Sequence, residues 1–595
     1  MQPRHLVRRC ALLLAVTLVA SCSATHAPAP PGPLSGPVGN VPFFEGLGKT
    51  GRKITTSSPK AQRYFNQGLA FLFAFNHDEA IRSFRKASEL DPHAAMAWWG
   101  ISIASGPHIN NPSMTPEASR TAWDAGQRAR KEAKKHATAT EKDLIDALDS
   151  RYADPAPADR TRLDQAYADA MRKVWKNHSD DPDVGALFAE AMMDLRPWNQ
   201  WTPEGKPQPG TEEVLATLET VMTENQNHPL ALHLYIHAVE ASHDPGRADV
   251  AADRLRNLTP GLGHLVHMPS HIDVRRGRWK EAVVANQKAI KADDRYRAIS
   301  PHQGFYGLYM LHNHHMLAYA AMMAGRQSQA LEAIDTMAST IPPGWAQQFA
   351  PIADGYLSLP IEVRVRFGLW DDVLKTPEPG AAFPFGRAMR HFARGTAFSA
   401  KGDTKSARAE LAQFRKTAAA LPADAQFSNN KVSDLIPVAD HVLDGEITYR
   451  EGHRDAALAL LRQAVTAEDK LAYDEPPSWI LPTRHTLGAT LLDAGRSGEA
   501  EKVFRADLDR LPNDGWALYG LAESLRRQNR KPQAERYQSQ FEKVWAGADA
   551  KITSPCACLP GSRGAAGRTT ANSHAAAKTS PAGNSTSKSQ PATPQ

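Results

Sequence analysis

Cysteine is scarce in this sequence of 595 residues, and its placement excludes two ways of stabilising a fold. Only four cysteines occur, and none of them lies in residues 23–555. The long central region therefore contains neither a disulfide framework nor a zinc site built from cysteines. The four residues are Cys10, Cys22, Cys556 and Cys558.

Motifs of several enzyme classes are also missing. The sequence contains no glycine-rich phosphate loop, no Gly-x-Ser-x-Gly nucleophile motif and no His-Glu-x-x-His zinc motif. Kinase, hydrolase and transferase activities are therefore not indicated, and no catalytic residue is predicted. Whether the protein is an enzyme stays open at this point, with a non-enzymatic binding function favoured.

Charge is not concentrated in any one region. The formal net charge is +6 over the whole chain, and no basic run is interleaved with aromatic residues. Nucleic-acid binding is therefore not expected. Histidine, in contrast, is abundant, with 23 residues in the chain.

The N-terminus has the features of an export signal. Three arginines precede a short apolar stretch at residues 10–20, which is too short to span a bilayer as a stable helix. The run Val19-Ala20-Ser21-Cys22 resembles the bacterial lipobox, whose cysteine receives a lipid and becomes the new N-terminus. The resemblance implies a lipoprotein signal peptide at residues 1–22 and a membrane anchor at Cys22, and an ordinary cleavable signal is the alternative. Ser23 follows Cys22, where an aspartate would resemble an inner-membrane retention signal. The resemblance therefore favours an anchor in the outer membrane, facing the periplasm.

Low-complexity segments flank the central region. Residues 23–48 are rich in proline and are predicted to form an extended tether. Residues 550–595 contain few apolar side chains and are predicted to be a disordered tail. We expect Cys556 and Cys558 to be exposed in that tail, with a thiol pair as the alternative.

Between these ends the chain repeats a helix-turn-helix unit. The clearest copy, at residues 62–92, has glycine for close helix approach, small and aromatic residues in the seam, and a proline that ends the second helix. These residues resemble the pattern of the tetratricopeptide repeat (TPR). Turn residues followed five positions later by alanine mark further copies, and Gly368 is a turn that departs from this rule. The residues are Gly68, Ala80, Phe84, Ala87 and Pro92 in the first copy, and Gly246, Gly277, Gly325, Gly402, Gly452, Gly495 and Asn529 in the others.

The TPR resemblance covers residues 61–542 and implies the fold. It predicts an all-α, right-handed α-solenoid (a superhelix) of about ten TPR-like repeats. Three strings, at residues 75–80, 264–271 and 473–479, are also similar to a group of bacterial TPR proteins, but this second resemblance implies no activity. The predicted segments are a first repeat region at 49–95, irregular helices with long loops at 96–226, His-rich repeats at 227–340 and C-terminal repeats at 341–549.

The resemblance also predicts which residues face a ligand. In TPR proteins the first helix of each pair lines a concave groove, and its positions 2, 5 and 9 point into it. Counting back from the turn glycines predicts a groove-facing set of metal-competent residues, with Tyr319 beside it and with His237 and His314 one position off. Arg484 and His485 are predicted to bind a partner at the far end of the groove. The metal-competent set is His233, Glu240, His264, His267, His271, His312 and His315.

Two functions are consistent with this set. The favoured one is a binding or scaffolding module that holds a peptide or protein partner in the groove. The alternative is a metalloprotein, because neutral imidazole suits Zn, Cu, Fe or Ni and Glu240 can complete a ligand shell. A purely architectural element of an envelope complex is a separate, third possibility. Pro269 interrupts the His-rich helix and either aims His271 into the groove or disrupts the stripe. No cofactor is certain, and a divalent transition metal is the one candidate.

Overall fold

The computed structural model describes residues 39–300 and 304–557. Cys22, the signal peptide and the segment after residue 557 lie outside the described residues. The chain divides into two compact units, whose described parts are residues 39–43 with 49–195 (unit 1) and residues 44–48 with 196–557 (unit 2).

Unit 1 contains seven α-helices among its described residues, and each packs against the next in sequence. Five of the helices start with a capping residue whose side chain accepts a hydrogen bond from a backbone N–H of the first turn. The capping residues are Ser58, Asn76, Thr115, Thr138 and Asp181. The helices are α1 (Pro59–Phe73), α2 (His77–Leu90), α3 (Ala95–Ala104), α4 (Pro116–Ala133), α5 (Ala139–Asp149), α6 (Thr161–Asn177) and α7 (Pro182–Met193).

Unit 2 contains nineteen α-helices among its described residues and one short antiparallel pair of strands, β1 (Gln426–Phe427) and β2 (Asn430–Lys431). The predicted all-α class of TPR-like helix pairs is therefore confirmed. The helices are α8 (Thr211–Glu224), α9 (Pro229–Glu240), α10 (Asp249–Leu255), α11 (Gly263–His267), α12 (Pro269–Arg275), α13 (Trp279–Ile299), α14 (Gly307–Met323), α15 (Gln327–Thr340), α16 (Pro343–Gln348), α17 (Ala350–Arg366), α18 (Trp370–Lys375), α19 (Pro384–Ala400), α20 (Thr404–Ala418), α21 (Val432–Arg450), α22 (Arg454–Glu468), α23 (Thr483–Asp493), α24 (Ser497–Arg510), α25 (Gly515–Arg527) and α26 (Lys531–Val544).

The seam of the first repeat is filled by Phe84, whose side chain is 0% exposed. A Cβ atom added at Gly68 of α1 would lie 2.6 Å from the phenyl ring, and one added at Gly100 of α3 would lie 2.5 Å from it. Both neighbouring helices therefore approach the ring through a glycine, where any side chain would clash. The predicted roles of Gly68 and Phe84 are confirmed.

The same arrangement recurs in unit 2 around Phe504 of α24. A Cβ atom added at Gly488 of α23 or at Gly520 of α25 would lie 2.4 Å from its ring. The three residues have the same spacing along the chain as those in unit 1. One packing solution therefore serves repeats in both units.

The predicted turns between paired helices are mostly confirmed. Seven of the eight turn residues adopt positive φ angles, between 59° and 93°, which is the conformation that ends helices and favours glycine. Gly246 is the exception, because it follows Pro245 inside a short 3-10 helix (Pro245–Ala248). The seven are Gly277, Gly325, Gly368, Gly402, Gly452, Gly495 and Asn529.

Pro269 divides the His-rich helix into α11 and α12, as its missing N–H predicts. Met268, at the junction, keeps helical angles of φ −48° and ψ −39°. The chain therefore continues in nearly the same helical path, and His271 stays on the face that carries His264 and His267.

The packed part of the chain extends into both predicted flanking segments, 23–48 and 550–595. The carbonyl of Val41 accepts a hydrogen bond of 2.7 Å from Tyr64 in unit 1, so the end of the proposed tether is packed. In unit 2, the N–H of Ala550 donates to the carbonyl of Gly325 at 3.0 Å. Cys556 is disulfide-bonded and only 9% exposed, so the prediction that it lies in an exposed tail is wrong.

Among the described residues, no helix combines the length and the apolar character that a membrane span requires.

Candidate metal centre

Four helices of unit 2 supply a cluster of six histidines and one glutamate. The spacings along α9, and from α11 into α12, are three or four residues, which places the side chains on one face of each helical segment. All of them are buried except His312, which is half-buried. The cluster consists of His233, His237 and Glu240 on α9, His264 and His267 on α11, His271 on α12 and His312 on α14.

Three of these histidines converge through their Nε2 atoms. The Nε2 atoms of His267 and His271 are 2.6 Å apart, and those of His267 and His312 are 3.1 Å apart. One nitrogen from each residue lies within 4.8 Å of the other two. We call this group the first triad.

Hydrogen bonds at the other ring nitrogens fix the tautomers of two members. Asn286 on α13 donates its Nδ2 to the carbonyl of Ala282 at 2.8 Å, so its Oδ1 accepts from Nδ1 of His267 at 2.7 Å. Glu240 accepts from Nδ1 of His271 at 2.5 Å. When both rings are neutral, each carries its one hydrogen on Nδ1, and the two Nε2 atoms present lone pairs to each other.

The other three histidines form a second triad on the other side of Glu240. The Nε2 atoms of His233 and His264 are 3.1 Å apart, and each of His233, His237 and His264 has one ring nitrogen within 4.8 Å of the other two. Nδ1 of His237 donates to Oε1 of Glu240 at 2.8 Å. One carboxylate therefore accepts from a member of each triad.

Burial sets the protonation of the cluster. Burial, reinforced by the charges of neighbouring histidines, lowers the pKa of His264, His267 and His312 well below 6.5. For His271, burial is outweighed by the charge and hydrogen bond of Glu240, which raise its pKa. Burial alone would raise the pKa of Glu240, but the charges and hydrogen bonds of His271 and His237 lower it to about 2. The centre thus combines mostly neutral imidazoles with one ionised carboxylate.

A hydrogen-bonded chain leads from Glu240 to an adjoining cavity. The hydroxyl of Tyr473 lies 3.4 Å from Oε2 of Glu240 and donates to Oε2 of Glu475 at 2.5 Å. Burial raises the pKa of Glu475 to about 8, against the lowering effect of the charge of His271. Tyr473 and Glu475 line a cavity of about 120 Å³, together with Arg275, Tyr319 and Trp479.

The structure brings six of the seven predicted metal-competent residues together. The exception is His315, which lies beside the rings of Tyr356 and Phe427 at centroid distances of 5.9 and 6.5 Å. It follows His312 by three residues, but α14 is buried on most sides and directs His315 towards α17 and β1. Burial lowers its pKa to about 3. Its predicted place in the metal set is wrong.

His237 is the residue that the sequence prediction missed. It was placed one position off the groove-facing stripe, yet it belongs to the second triad and bonds to Glu240. All twelve residues of α9 are buried, so this helix has no single inward face from which a stripe can be counted. Its spacing of four from His233 is the signal that identifies it.

The predicted partner-binding residues do not line an open groove. His485 is 0% exposed and lies between two carboxylates, at 3.0 Å from Asp507 and 2.5 Å from Asp514. Arg484 pairs with Asp469 through two hydrogen bonds of 2.9 and 2.7 Å. Tyr319 is 1% exposed and borders the cavity beside the metal centre. Both residues already bind carboxylates within unit 2, and their predicted role in binding a partner stays a prediction.

Comparison with known proteins identifies one repeat directly. Residues 61–93 match the tetratricopeptide repeat family. This segment corresponds to α1, α2 and the turn between them. No curated protein sequence matches the chain significantly.

Several solved structures share the helical-repeat architecture at low similarity. The human IFIT1 dimer with m7Gppp-AAAA is 12% identical, with a TM-score of 0.32, over 83% of this chain and 92% of that chain. The Rap protein complexed with competence and sporulation factor is 10% identical, with a TM-score of 0.32, over 76% of this chain and 96% of that chain. The Cut9–Hcn1 assembly is 11% identical, with a TM-score of 0.27, over 84% of this chain and 76% of that chain. At these scores the likeness supports no inference about ligands.

Proposed function

We propose that this TPR repeat protein binds a divalent transition metal ion at the first triad, His267, His271 and His312. The observation that carries the proposal is the convergence of three imidazoles, each with one nitrogen within 4.8 Å of the other two. When His267 and His271 are both neutral, their Nδ1 atoms donate to acceptors and both Nε2 atoms present lone pairs. A cation bound between these lone pairs removes their mutual repulsion.

A metal ion accounts for all three nitrogens at this position, whereas a proton accounts for two. Glu240 raises the pKa of His271, so a proton held there joins Nε2 of His271 to Nε2 of His267 and leaves out the nitrogen of His312. A metal ion instead uses the neutral imidazole that burial already favours, and the third nitrogen, from His312, points to the same place. Glu240 and Asn286 then act as outer partners that orient two of the ligands.

The donor set indicates the class of metal. The three donors are imidazole nitrogens, which suit Zn, Cu, Ni and Fe and are poor ligands for Mg or Ca. Three protein ligands are also the number found in catalytic zinc centres, where a fourth position takes water or substrate. The adjoining cavity could hold a substrate, so metal-dependent catalysis is compatible with this proposal. No reaction is assigned.

Peptide binding in a groove, the function favoured by the sequence, is less well supported. His264, His267 and His271 are at most 1% exposed, and a peptide recognised by those side chains would have to reach an enclosed position. A protein partner elsewhere on the repeat scaffold stays a prediction. We also propose the lipid anchor at Cys22, which rests on the run Val19-Ala20-Ser21-Cys22, and the outer-membrane location, which rests on Ser23.

The test is calorimetric titration of Zn²⁺ into metal-stripped full-length protein that carries no polyhistidine tag. We expect one or more saturable sites. His267→Gln and His312→Gln should each weaken binding by more than the roughly 10–100-fold typical of losing an outer partner. His315→Gln is the matched control, since this buried histidine of α14 lies outside both triads, and it should bind like the wild type.

Circular dichroism shows whether each variant keeps its helices. A folded wild-type protein without a saturable Zn²⁺, Cu²⁺ or Ni²⁺ site would overturn the proposal. Equal losses in the His312→Gln and His315→Gln variants would also overturn it, because they would assign binding to the general stability of α14.

A further inference from the structure

We infer that the centre is dinuclear, with a second transition metal ion bound by the second triad, His233, His237 and His264. This inference rests on the proposed metal site at the first triad and adds an ion, a ligand set and a role for Glu240. The ion belongs to the same imidazole-binding class, which includes zinc, copper, nickel and iron.

The geometry of the second triad parallels that of the first. Each contains a pair of Nε2 atoms about as close as hydrogen-bonded atoms, here His233 and His264 at 3.1 Å. Each contains one histidine whose Nδ1 donates to Glu240, here His237 at 2.8 Å. That bond places the hydrogen of a neutral His237 on Nδ1, which is the tautomer in which Nε2 can bind a metal ion.

The ligand atoms fall into two groups of imidazoles. Within each triad they lie within 4.8 Å of one another, whereas among the described residues the group that joins members of both triads, His237, Glu240 and His271, depends on the carboxylate of Glu240. A Zn–N bond is only about 2.0–2.1 Å long, so six imidazoles in this arrangement suit two ions.

Glu240 provides the link between the two ions. Its Oε1 accepts from His237 and its Oε2 accepts from His271, so one carboxylate orients a ligand of each triad. Both contacts are complete as N–H···O hydrogen bonds, and Glu240 needs no direct bond to a metal to explain them. Its negative charge, buried between the triads, also offsets part of the charge that two cations would bring.

A surface cluster of possible metal ligands in unit 1 has to be removed by substitution before ions are counted, because it could bind zinc as well. His93, Glu132 and His136 place ligand atoms within 4.8 Å of one another, and the side chain of His93 is 65% exposed. Loose binding there would add to the stoichiometry. All measurements below therefore use the full chain with His93→Gln and His136→Gln as the reference protein.

The experiment counts zinc per chain by elemental analysis after metal stripping, reloading with Zn²⁺ and gel filtration. The reference protein should retain two ions. Adding His233→Gln and His264→Gln should leave one ion, and adding His267→Gln and His312→Gln instead should also leave one. His237→Gln alone is a milder variant that tests the second triad if the double substitution fails to fold.

Copper provides a readout that a purely structural role would not change. Two Cu²⁺ ions bound in adjacent triads, each with a ligand that donates to Glu240, should couple magnetically. The loaded reference protein should therefore show a weakened or split paramagnetic resonance signal. Either double variant should show the full signal of an isolated Cu²⁺ ion.

The outcomes separate this inference from the proposed function. One ion in the reference protein, kept in the His233→Gln/His264→Gln variant and lost in the His267→Gln/His312→Gln variant, overturns the dinuclear centre and leaves the first site standing. No retained ion in the folded reference protein overturns both.

Discussion

Glu240 and His271 form a buried pair in which Nδ1 of the imidazole donates to Oε2 of the carboxylate at 2.5 Å. The two residues lie on α9 and α12, which are separate in sequence but in contact. Because the carboxylate is ionised, it can only accept, and it therefore fixes the hydrogen of His271 on Nδ1. The arrangement resembles the carboxylate–histidine pairs that orient metal ligands in proteins.

The first prediction concerns this carboxylate. Glu240→Gln should weaken Zn²⁺ binding by about 10–100-fold, because the amide group of glutamine is itself a donor and cannot accept from both His237 and His271. Calorimetric titration measures the loss, with circular dichroism as the check on folding. Glu410→Gln is the matched control, since Glu410 accepts from Nδ1 of His391 at 2.6 Å, away from the centre, and its Zn²⁺ affinity should be unchanged. Equal affinities in the two variants would contradict an orienting role for Glu240.

The site was predictable where repeats place equivalent residues at equivalent positions. His233, His264 and His312 were each found by counting back from a turn glycine, because the helix–turn register is kept even where Gly246 departs from the usual turn. The count failed for His237 and His315, because both lie on helices that are buried on most sides, where helical position alone does not decide the direction of a side chain. Only packing against neighbouring helices decides it.

The fold was predictable to a greater extent. Positive-φ glycines and the seam residues around Phe84 depend on local sterics, which the sequence shows directly. The ends of the packed region were misplaced, because the backbone groups of Val41 and Ala550 form hydrogen bonds with residues that are distant in the sequence, Tyr64 and Gly325. Composition alone shows no sign of such contacts.

The second prediction concerns His485, which is fully buried between Asp507 and Asp514. Burial lowers its pKa, but the two carboxylates outweigh that effect and raise it to about 9. The folded-state pKa thus lies above the unfolded value of about 6.5. The resulting stabilisation, on the order of 3 kcal/mol, is complete below pH 6.5 or so and is lost as the pH rises through about 9.

His485→Asn should therefore lower the free energy of unfolding much more at pH 6 than at pH 10. Urea unfolding of wild type and variant at the two pH values measures the difference. Asp514→Asn, which removes the stronger partner, should remove most of the same pH dependence while His485 is still present. An identical loss at both pH values would show that the imidazole is not held in its charged form.

The third prediction tests the glycine seam in unit 2. Gly488→Ala places a methyl group 2.4 Å from the ring of Phe504, so it should destabilise the protein by about 1–3 kcal/mol. Gly498→Ala on the neighbouring helix α24 is the control, because the nearest atom, Oε1 of Gln528, lies 3.8 Å from the added Cβ. Alanine there should be neutral or stabilise by up to about 1 kcal/mol. Chemical denaturation that ranks the two variants in the opposite order would refute the close approach.

The fourth prediction concerns the N-terminus, which lies outside the described residues. Cys22→Ala should prevent lipidation and release the protein from membranes, because the run Val19-Ala20-Ser21-Cys22 resembles a lipobox. Membrane fractionation after growth with labelled fatty acid is the measurement, and Cys10→Ala is the control. Label incorporated at the N-terminus of the Cys22→Ala variant would rule out this anchor.

The last prediction compares two C-terminal truncations, one after Leu559 and one after Ala548. The longer chain keeps every contact of the described segment and should unfold at the wild-type temperature. The shorter chain loses Asp549, whose carboxylate accepts from the N–H groups of Gln327 and Ser328 at 2.5 and 3.0 Å at the start of α15. Loss of such a cap costs about 1 kcal/mol by itself.

The shorter chain also loses the packing of residues 550–557 on unit 2. Ala550 is 6% exposed and Ile552 packs against the core of the unit, so their removal exposes apolar surface in addition to the uncapped helix. Thermal unfolding should therefore show a lower transition temperature for this truncation, and Asp549→Ala in the full chain should reproduce only the part due to the cap. If both truncations unfold together with the wild type, the contacts of residues 549–557 contribute nothing to stability, and the tail begins where its composition alone would place it.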